Sequence, residues 1–195
     1  MRAVPTNRYL IFFSIASVGC LADLATKNWI FAKLGMPDPH MRQVAWIWEG
    51  VFGWQTSLNE GALFGIGQGQ VHWFALLSCA ALVALLVWLF VAGAARDLLL
   101  TVALGCVTAG ILGNLYDRFG LPGLEWNYAT NLHAVGEPVH AVRDWILVMI
   151  GPWHWPNFNI ADSLLVCGAV LLGWHAFWMP GSKSQPQESG ASETH

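Results

Sequence analysis

The chain has 195 residues, of which 55% are hydrophobic and only 11% are charged, and its net charge is −3. A soluble domain usually carries about 25% charged residues, so this composition excludes a water-soluble globule and indicates a membrane protein of one domain. The slightly acidic balance provides no basic surface for nucleic acid, and we expect no nucleic-acid partner.

Four apolar segments are long enough to cross the hydrocarbon core of a bilayer, which needs about 20 helical residues. They cover residues 9–24, 71–92, 98–116 and 160–179. We therefore predict an all-α integral membrane protein of about four transmembrane helices. Residues 1–180 form one membrane domain in this interpretation, and residues 181–195, rich in Gly, Ser and Glu, form a disordered tail.

The connections between these segments indicate the topology. The short link 93–97 makes the second and third spans a helical hairpin, whereas residues 31–70 and 117–159 form two long loop regions. An even number of spans puts both loop regions on one side, where a small β element would fit. Lys and Arg are evenly divided between the two sides, but those on the terminal side lie in shorter segments, where charge counts most. We therefore expect a cytoplasmic tail and extracytoplasmic loops.

Ionisable side chains at the edge of apolar segments are costly and are functional candidates. Asp23 and Lys27 form the first such cluster, at the end of the first span. Residues four positions apart share a helix face, so the two charges can neutralise each other. A helix-end ion pair, with Lys27 reaching outward to the interface, is the structural alternative.

Two further clusters lie at helix ends on the same side of the membrane. Asn114, Asp117 and Arg118 end the third span, and Asn159 and Asp162 begin the fourth. A capped helix end explains the first group equally well, and Asn159 is a good N-cap. Asp162 fits that explanation poorly, because it lies inside the first turn beside an apolar run.

Asp144 lies in another apolar segment, 142–148, of the second loop region. The topology brings it to the same interface as Asp162. Two carboxylates at low dielectric share a proton, and such a pair activates water for hydrolysis by general acid–base catalysis. The sequence has no serine-hydrolase, zinc-peptidase or Walker motif, and its seven His have no metal-ligand spacing, so we expect no metal and no cofactor.

Five motifs in this order resemble those of the lipoprotein signal peptidases (signal peptidase II), which are membrane aspartic peptidases. The resemblance rests on D-x-x-x-K at 23–27, N-x-G-x-x-F at 59–64, G-x-x-x-N-x-x-D-R at 110–118, V-x-D-W at 142–145 and F-N-x-A-D-S at 158–163. It spans most of the chain, and five motifs on the expected side of four spans are more specific than any one of them.

The resemblance implies the site and the activity. Asp144 and Asp162 would be the catalytic pair, supported by a second set of residues: Asp23, Lys27, Asn59, Gly61, Asn114, Arg118 and Asn159. The implied reaction is removal of the signal peptide from a prolipoprotein by cleavage before its diacylglyceryl-modified cysteine. The enzyme would act as a monomer in contact with membrane lipid, in the bacterial cytoplasmic (inner) membrane, with its active site at the extracytoplasmic interface.

The chain departs from the family pattern in two places. Trp145 replaces the usual Phe, and residues 119–142 are an insertion that lengthens the second loop region. Gly, Pro, Trp126 and Tyr128 in the insertion suggest a lid over the active site, but an inert surface elaboration explains them as well, because loops accept insertions at little cost.

Two other functions are compatible with four spans. A small transporter would spread polar residues through the bilayer depth, but the second span has no charge. A non-catalytic membrane scaffold could keep the same fold, and the sequence distinguishes it from an enzyme only through the presence of both aspartates.

Overall fold

The structure is a computed structural model that describes residues 3–39, 43–61 and 67–178. Its four long helices are α1 (Thr6–Leu34), α2 (Val71–Leu86), α3 (Leu98–Arg118) and α4 (Ile160–Trp178). A π-helical turn, Val87–Val91, continues α2. Each helix is long and apolar enough to cross a membrane, so the four predicted spans are confirmed. The end of the fourth predicted span and the tail 181–195 lie outside the described residues.

Helix α1 extends well past the predicted end of the first span. That prediction stopped the span at the first charged residues, Asp23 and Lys27, but the helix continues to Leu34. Both side chains are fully buried in the helix bundle and pair with each other. Charges that are neutralised in this way do not end a helix, although they interrupt the apolar run by which the sequence marks a span.

The predicted small β element is a four-stranded antiparallel sheet in the order β1-β2-β3-β4. Its strands are β1 (Ala45–Trp48), β2 (Phe52–Asn59), β3 (Val142–Ile150) and β4 (Trp153–Phe158). Each loop region contributes one hairpin, and β2 pairs with β3 to join them. Because Asn59 lies opposite Val142 and Ser57 opposite Asp144, this pairing brings the end of β2 beside Asp144.

Helix α3 is the centre of the bundle. In α3, 56% of the most apolar stretch is buried, against 11–22% in the other three helices. Small residues allow the close contacts that drive helix association in lipid. At Gly110 an added Cβ would lie 2.5 Å from the carbonyl oxygen of Ala161, so α3 packs directly against the start of α4.

Two glycines of α4 test this packing. We expect Gly168→Ala to lower the free energy of unfolding by about 1–3 kcal/mol, because its Cβ would lie 2.6 Å from Val107 Cγ2 and 2.8 Å from the Ala103 carbonyl oxygen. Gly173→Ala is the matched control, since nothing lies within 4 Å of its added Cβ, and it should be neutral or stabilising by about 0.5–1 kcal/mol. Thermal unfolding in detergent micelles measures both, and equal effects would contradict the α3–α4 contact.

Candidate active site

Lys27 is the centre of a buried charge network. Its ammonium nitrogen lies 2.7 Å from Asp23 Oδ2, 2.9 Å from Asp117 Oδ2 and 3.1 Å from Asn114 Oδ1. The two carboxylates offset the charge of the ammonium group, and the amide oxygen of Asn114 accepts one of its N–H donors. Lys27, Asp23 and Asp117 are all 0% exposed, so Lys27 points inward and does not reach the interface as the structural alternative required.

A second cation completes this network. Arg143 of β3 donates from Nε to Asp117 Oδ1 at 2.8 Å and from its backbone N–H to Asp117 Oδ2 at 3.1 Å. Its Nη1 donates to Asn28 Oδ1 at 2.7 Å. Two carboxylates therefore face two cations, which offsets part of the large cost of burying charge. This role of Arg143 was not predicted from the sequence, because its partner Asp117 lies 26 residues away and no motif links the two.

Asn114 connects the charge network to the two candidate catalytic aspartates. Its Oδ1 accepts from Lys27 Nζ at 3.1 Å and from Asn159 Nδ2 at 3.2 Å. Its Nδ2 donates to Asp162 Oδ1 at 2.8 Å. Since a cation can face only the oxygen side of the amide, Lys27 fixes the orientation of Asn114 and so turns a donor toward Asp162.

Asp162 is held at the start of α4 by a reciprocal capping arrangement. Its backbone N–H donates to Asn159 Oδ1 at 2.8 Å, and its Oδ2 accepts from the Asn159 backbone N–H at 3.2 Å. Such a capping box satisfies two N–H groups that the helix leaves free. Asp23 Oδ1 accepts a third, from Ala161, at 2.8 Å. The charge network therefore also fixes the end of α4.

Asp144 lies in β3 and is 2% exposed. Its Oδ1 accepts from Asn159 Nδ2 at 2.7 Å, and its Oδ2 accepts from Asn59 Nδ2 at 3.3 Å. Asn159 thus contacts both aspartates. Burial raises the pKa of Asp144 well above its usual range, and the negative charge of Asp162 raises this pKa further.

The two aspartates line one cleft of about 760 Å³. The predicted site residues Asn59, Gly61, Asn114 and Arg118 line it with them. Asn159 lies behind the two carboxylates, and Asp23 and Lys27 lie one layer deeper in the bundle. The structure therefore brings all nine predicted residues into one cluster. Phe64, which completes the second motif, is outside the described residues.

Some cleft residues were not expected from the sequence. Three of them alternate along β4: His154, Pro156 and Phe158. Trp153 and Asn157 of the same strand also line the cleft, so both faces of β4 contribute and a period of two along 153–158 would not have identified this wall. Arg118 also donates from Nη2 to the Gly61 carbonyl oxygen at 3.3 Å, and its guanidinium lies 5.6 Å from the centre of the Phe74 ring.

Comparison with known proteins identifies the family of this chain. Residues 15–178 match the family model described as Signal peptidase (SPase) II. A lipoprotein signal peptidase of Rhodopirellula baltica is 48% identical over 174 residues, which are 87% of this chain and 73% of that relative. One of Bacillus velezensis is 30% identical over 179 residues, which are 90% of this chain and 99% of that relative.

A solved structure of a bacterial membrane enzyme is also similar. It has a TM-score of 0.67 and 25% sequence identity, and the match covers 89% of this chain and 94% of that one. The four spans and these relatives together define a multi-pass bacterial membrane peptidase. The chain belongs to the signal peptidase II family, the lipoprotein signal peptidases.

The raised pKa of Asp144 predicts how stability depends on pH. The folded protein holds this proton more tightly than the unfolded chain, so its free energy of unfolding falls as pH rises from about 4 through the raised pKa. Asp144→Asn lacks this titration. We therefore expect the thermal midpoint of the variant, relative to that of the parent, to increase with pH.

Asp97→Asn is the control for this prediction, because the pKa of Asp97, at the other end of α3, is shifted in the opposite direction to that of Asp144. Burial raises the pKa of Asp97, but hydrogen bonds from the Leu100 backbone N–H and His175 outweigh it and lower this pKa. The Asp97 carboxylate stabilises the folded state at pH values above the pKa that Asp97 has in the unfolded chain. This stabilisation is lost as the pH falls through the lowered pKa of the folded state. The Asp97→Asn midpoint should therefore fall relative to the parent as pH rises. Parallel pH trends for the two variants would contradict the assigned shifts.

Proposed function

We propose that this peptidase is an aspartic endopeptidase that removes signal peptides from prolipoproteins by cleaving before the diacylglyceryl-modified cysteine. The main support for this proposal is that Asp144 of β3 and Asp162 of α4 line the same cleft. Membership of the signal peptidase II family and the name of its relatives support the substrate class.

The two aspartates have unequal surroundings, and these suggest different roles. Asp162 lies in the first turn of α4, where the helix dipole favours a negative charge, and it accepts two N–H donors. Asp144 is the more deeply buried of the two, and its raised pKa favours the protonated form. We assign the proton of the pair to Asp144 and the negative charge to Asp162.

This assignment gives a balanced hydrolysis. Asp162 takes a proton from water as the water oxygen attacks the scissile carbonyl carbon, and Asp144 gives its proton to the carbonyl oxygen. In the collapse of the tetrahedral intermediate, the C–N bond breaks and the departing amine takes the proton from Asp162. Asp144 recovers its proton from the intermediate as the new carboxyl group forms. No metal and no cofactor is needed in these steps.

The walls of the cleft suit a substrate that stays in the bilayer. Leu165 and Val166 of α4 line it together with the aspartates, and Val166 is 63% exposed on the outer face of the bundle. One wall of the cleft is therefore continuous with a surface that faces lipid, along which a signal-peptide helix and its acyl chains could approach. A monomer would suffice, since one chain provides both aspartates.

The sheet suggests how the cleft is placed at the membrane surface. Trp46, Trp48 and Trp153 are exposed on its hairpins, and Trp favours the headgroup level of the bilayer. We infer that the sheet lies along the interface, on the extracytoplasmic side of the inner membrane, with both termini in the cytoplasm.

Cleavage of a diacylglyceryl-modified prolipoprotein peptide by the purified protein tests the proposal. Asp144→Asn and Asp162→Asn should each retain less than about a tenth of the parent rate, a change of roughly 1.4 kcal/mol in the barrier, because an amide cannot take or give the proton. Mass spectrometry of the products gives both the rate and the bond that is cut.

Asp97→Asn is the matched control, since it makes the same change at the other end of α3, and it should cleave at close to the parent rate. An Asn variant of Asp144 or Asp162 with more than a tenth of the parent activity would remove that residue from the pair. A parent protein that binds the peptide without cleaving it would favour the scaffold alternative.

A further inference from the structure

The insertion forms an ordered hairpin outside the sheet. The Val139 N–H donates to the Leu124 carbonyl oxygen at 2.8 Å, and the Trp126 N–H donates to the Glu137 carbonyl oxygen at 2.9 Å. Trp126 is 4% exposed and packs with Val139 in a small hydrophobic cluster. Of residues 119–142, only Val142, where β3 begins, is among the described residues that line the cleft of the two aspartates. Tyr128 lines a neighbouring pocket of about 540 Å³ that shares four residues with the cleft, and the lid interpretation stays a prediction.

The tip of the hairpin presents one side chain, His133, in a fixed position. The Thr130 hydroxyl accepts from the His133 backbone N–H at 3.0 Å, and the Thr130 N–H donates to the His133 carbonyl oxygen at 2.9 Å. The His133 ring stacks on Trp126, with centroids 4.7 Å apart and an interplanar angle of 7°. Backbone and ring are therefore both held, and an inert loop would require neither constraint.

His133 contacts a carboxylate at each ring nitrogen. Its Nε2 bonds with Glu60 Oε1, and its Nδ1 lies 3.4 Å from Glu137 Oε2. Each ring nitrogen therefore faces a carboxylate oxygen, to which an N–H of the imidazole can donate. Glu60 is the inner partner, with 11% of its side chain exposed, whereas Glu137 is half exposed. The contact with Glu60 is therefore the less screened of the two.

Glu60 lies between two residues that contact the active site. Asn59 donates to Asp144 Oδ2 at 3.3 Å, and the Gly61 carbonyl oxygen accepts from Arg118 at 3.3 Å. Both distances are at the long end for hydrogen bonds, so a shift of a few tenths of an ångström would break them. The sheet holds this segment only as far as Asn59, where β2 ends.

We propose that the insertion is a brace for the active site: through His133 it holds Glu60, and so keeps Asn59 in contact with Asp144. His133 and Glu60 are then positioning residues for the hydrolysis, although neither touches the aspartates. This inference rests on the proposed function. Because Asn59 acts on Asp144 and neither His133 nor Glu60 lines the cleft, loss of the brace should lower kcat and leave KM nearly unchanged.

Kinetics of His133→Ala and Glu60→Ala on the lipidated prolipoprotein peptide test the brace. We expect each to lower kcat about tenfold, since small misplacements of reacting groups have effects of this size, with KM within twofold. The double variant should be no slower than the slower single variant, because both changes break the same contact. His133→Gln keeps an N–H donor and should recover most of the lost kcat.

Glu137→Ala is the matched control, because it removes the exposed carboxylate on the other side of the same ring, and it should leave kcat within twofold of the parent. Parent-like kcat in both His133→Ala and Glu60→Ala would overturn the brace, as would a raised KM at constant kcat. A loss in His133→Ala that His133→Gln does not recover would assign His133 a structural role only.

The parent and Asp144→Asn are assayed alongside, so that the two proposals can fail separately. A parent that does not cleave rejects the proposed function, whereas an active parent with unaffected brace variants rejects only the brace.

Discussion

The Lys27 ammonium is the interaction on which the rest of the site depends. It joins Asp23 of α1 to Asp117 and Asn114 of α3 in an environment from which water is excluded. Removing one partner from a buried ion pair costs about 3–5 kcal/mol, because the remaining charge loses its compensation. Asp23 also caps the start of α4, and Asn114 bonds Asp162. One buried cation therefore fixes the relative position of three helices and the orientation of the amide that faces Asp162.

The same network explains how two acidic groups can lie together at the membrane edge. Lys27 and Arg143 offset the charges of Asp23 and Asp117. The charge of Lys27 also acts on Asp144, where it opposes the effects of burial and of Asp162 on the pKa. Asn114 and Asn159 separate the charge network from the two cleft aspartates and provide them with N–H donors. A pair of carboxylates can then keep one negative charge and one proton, which is the state that hydrolysis by activated water requires.

The sequence predicted what depends on local pattern. Spans of about 20 apolar residues identify helices one at a time, and the five motifs contain all nine predicted site residues. Contacts between distant segments were not predictable. The strand β3 was interpreted only as an apolar loop segment, because its partner β2 lies far away in the chain. The pairing of Asp117 with Arg143 and the contact of Glu60 with His133 were missed for the same reason, since neither has a spacing that a motif could show.

We propose that Asp144 and Asp162 act as a pair that shares one proton, and the pH dependence of kcat/KM for the lipidated peptide tests this sharing. At high pH the pair loses its shared proton and with it the general acid. At low pH it binds a second proton and loses the general base. Both the acidic and the alkaline fall in kcat/KM therefore report on the pair. We predict a bell-shaped profile whose alkaline limb lies above the ordinary carboxyl range, because burial raises the pKa of Asp144. A kcat/KM that stays constant from about pH 4 to about pH 9 would contradict a one-proton pair.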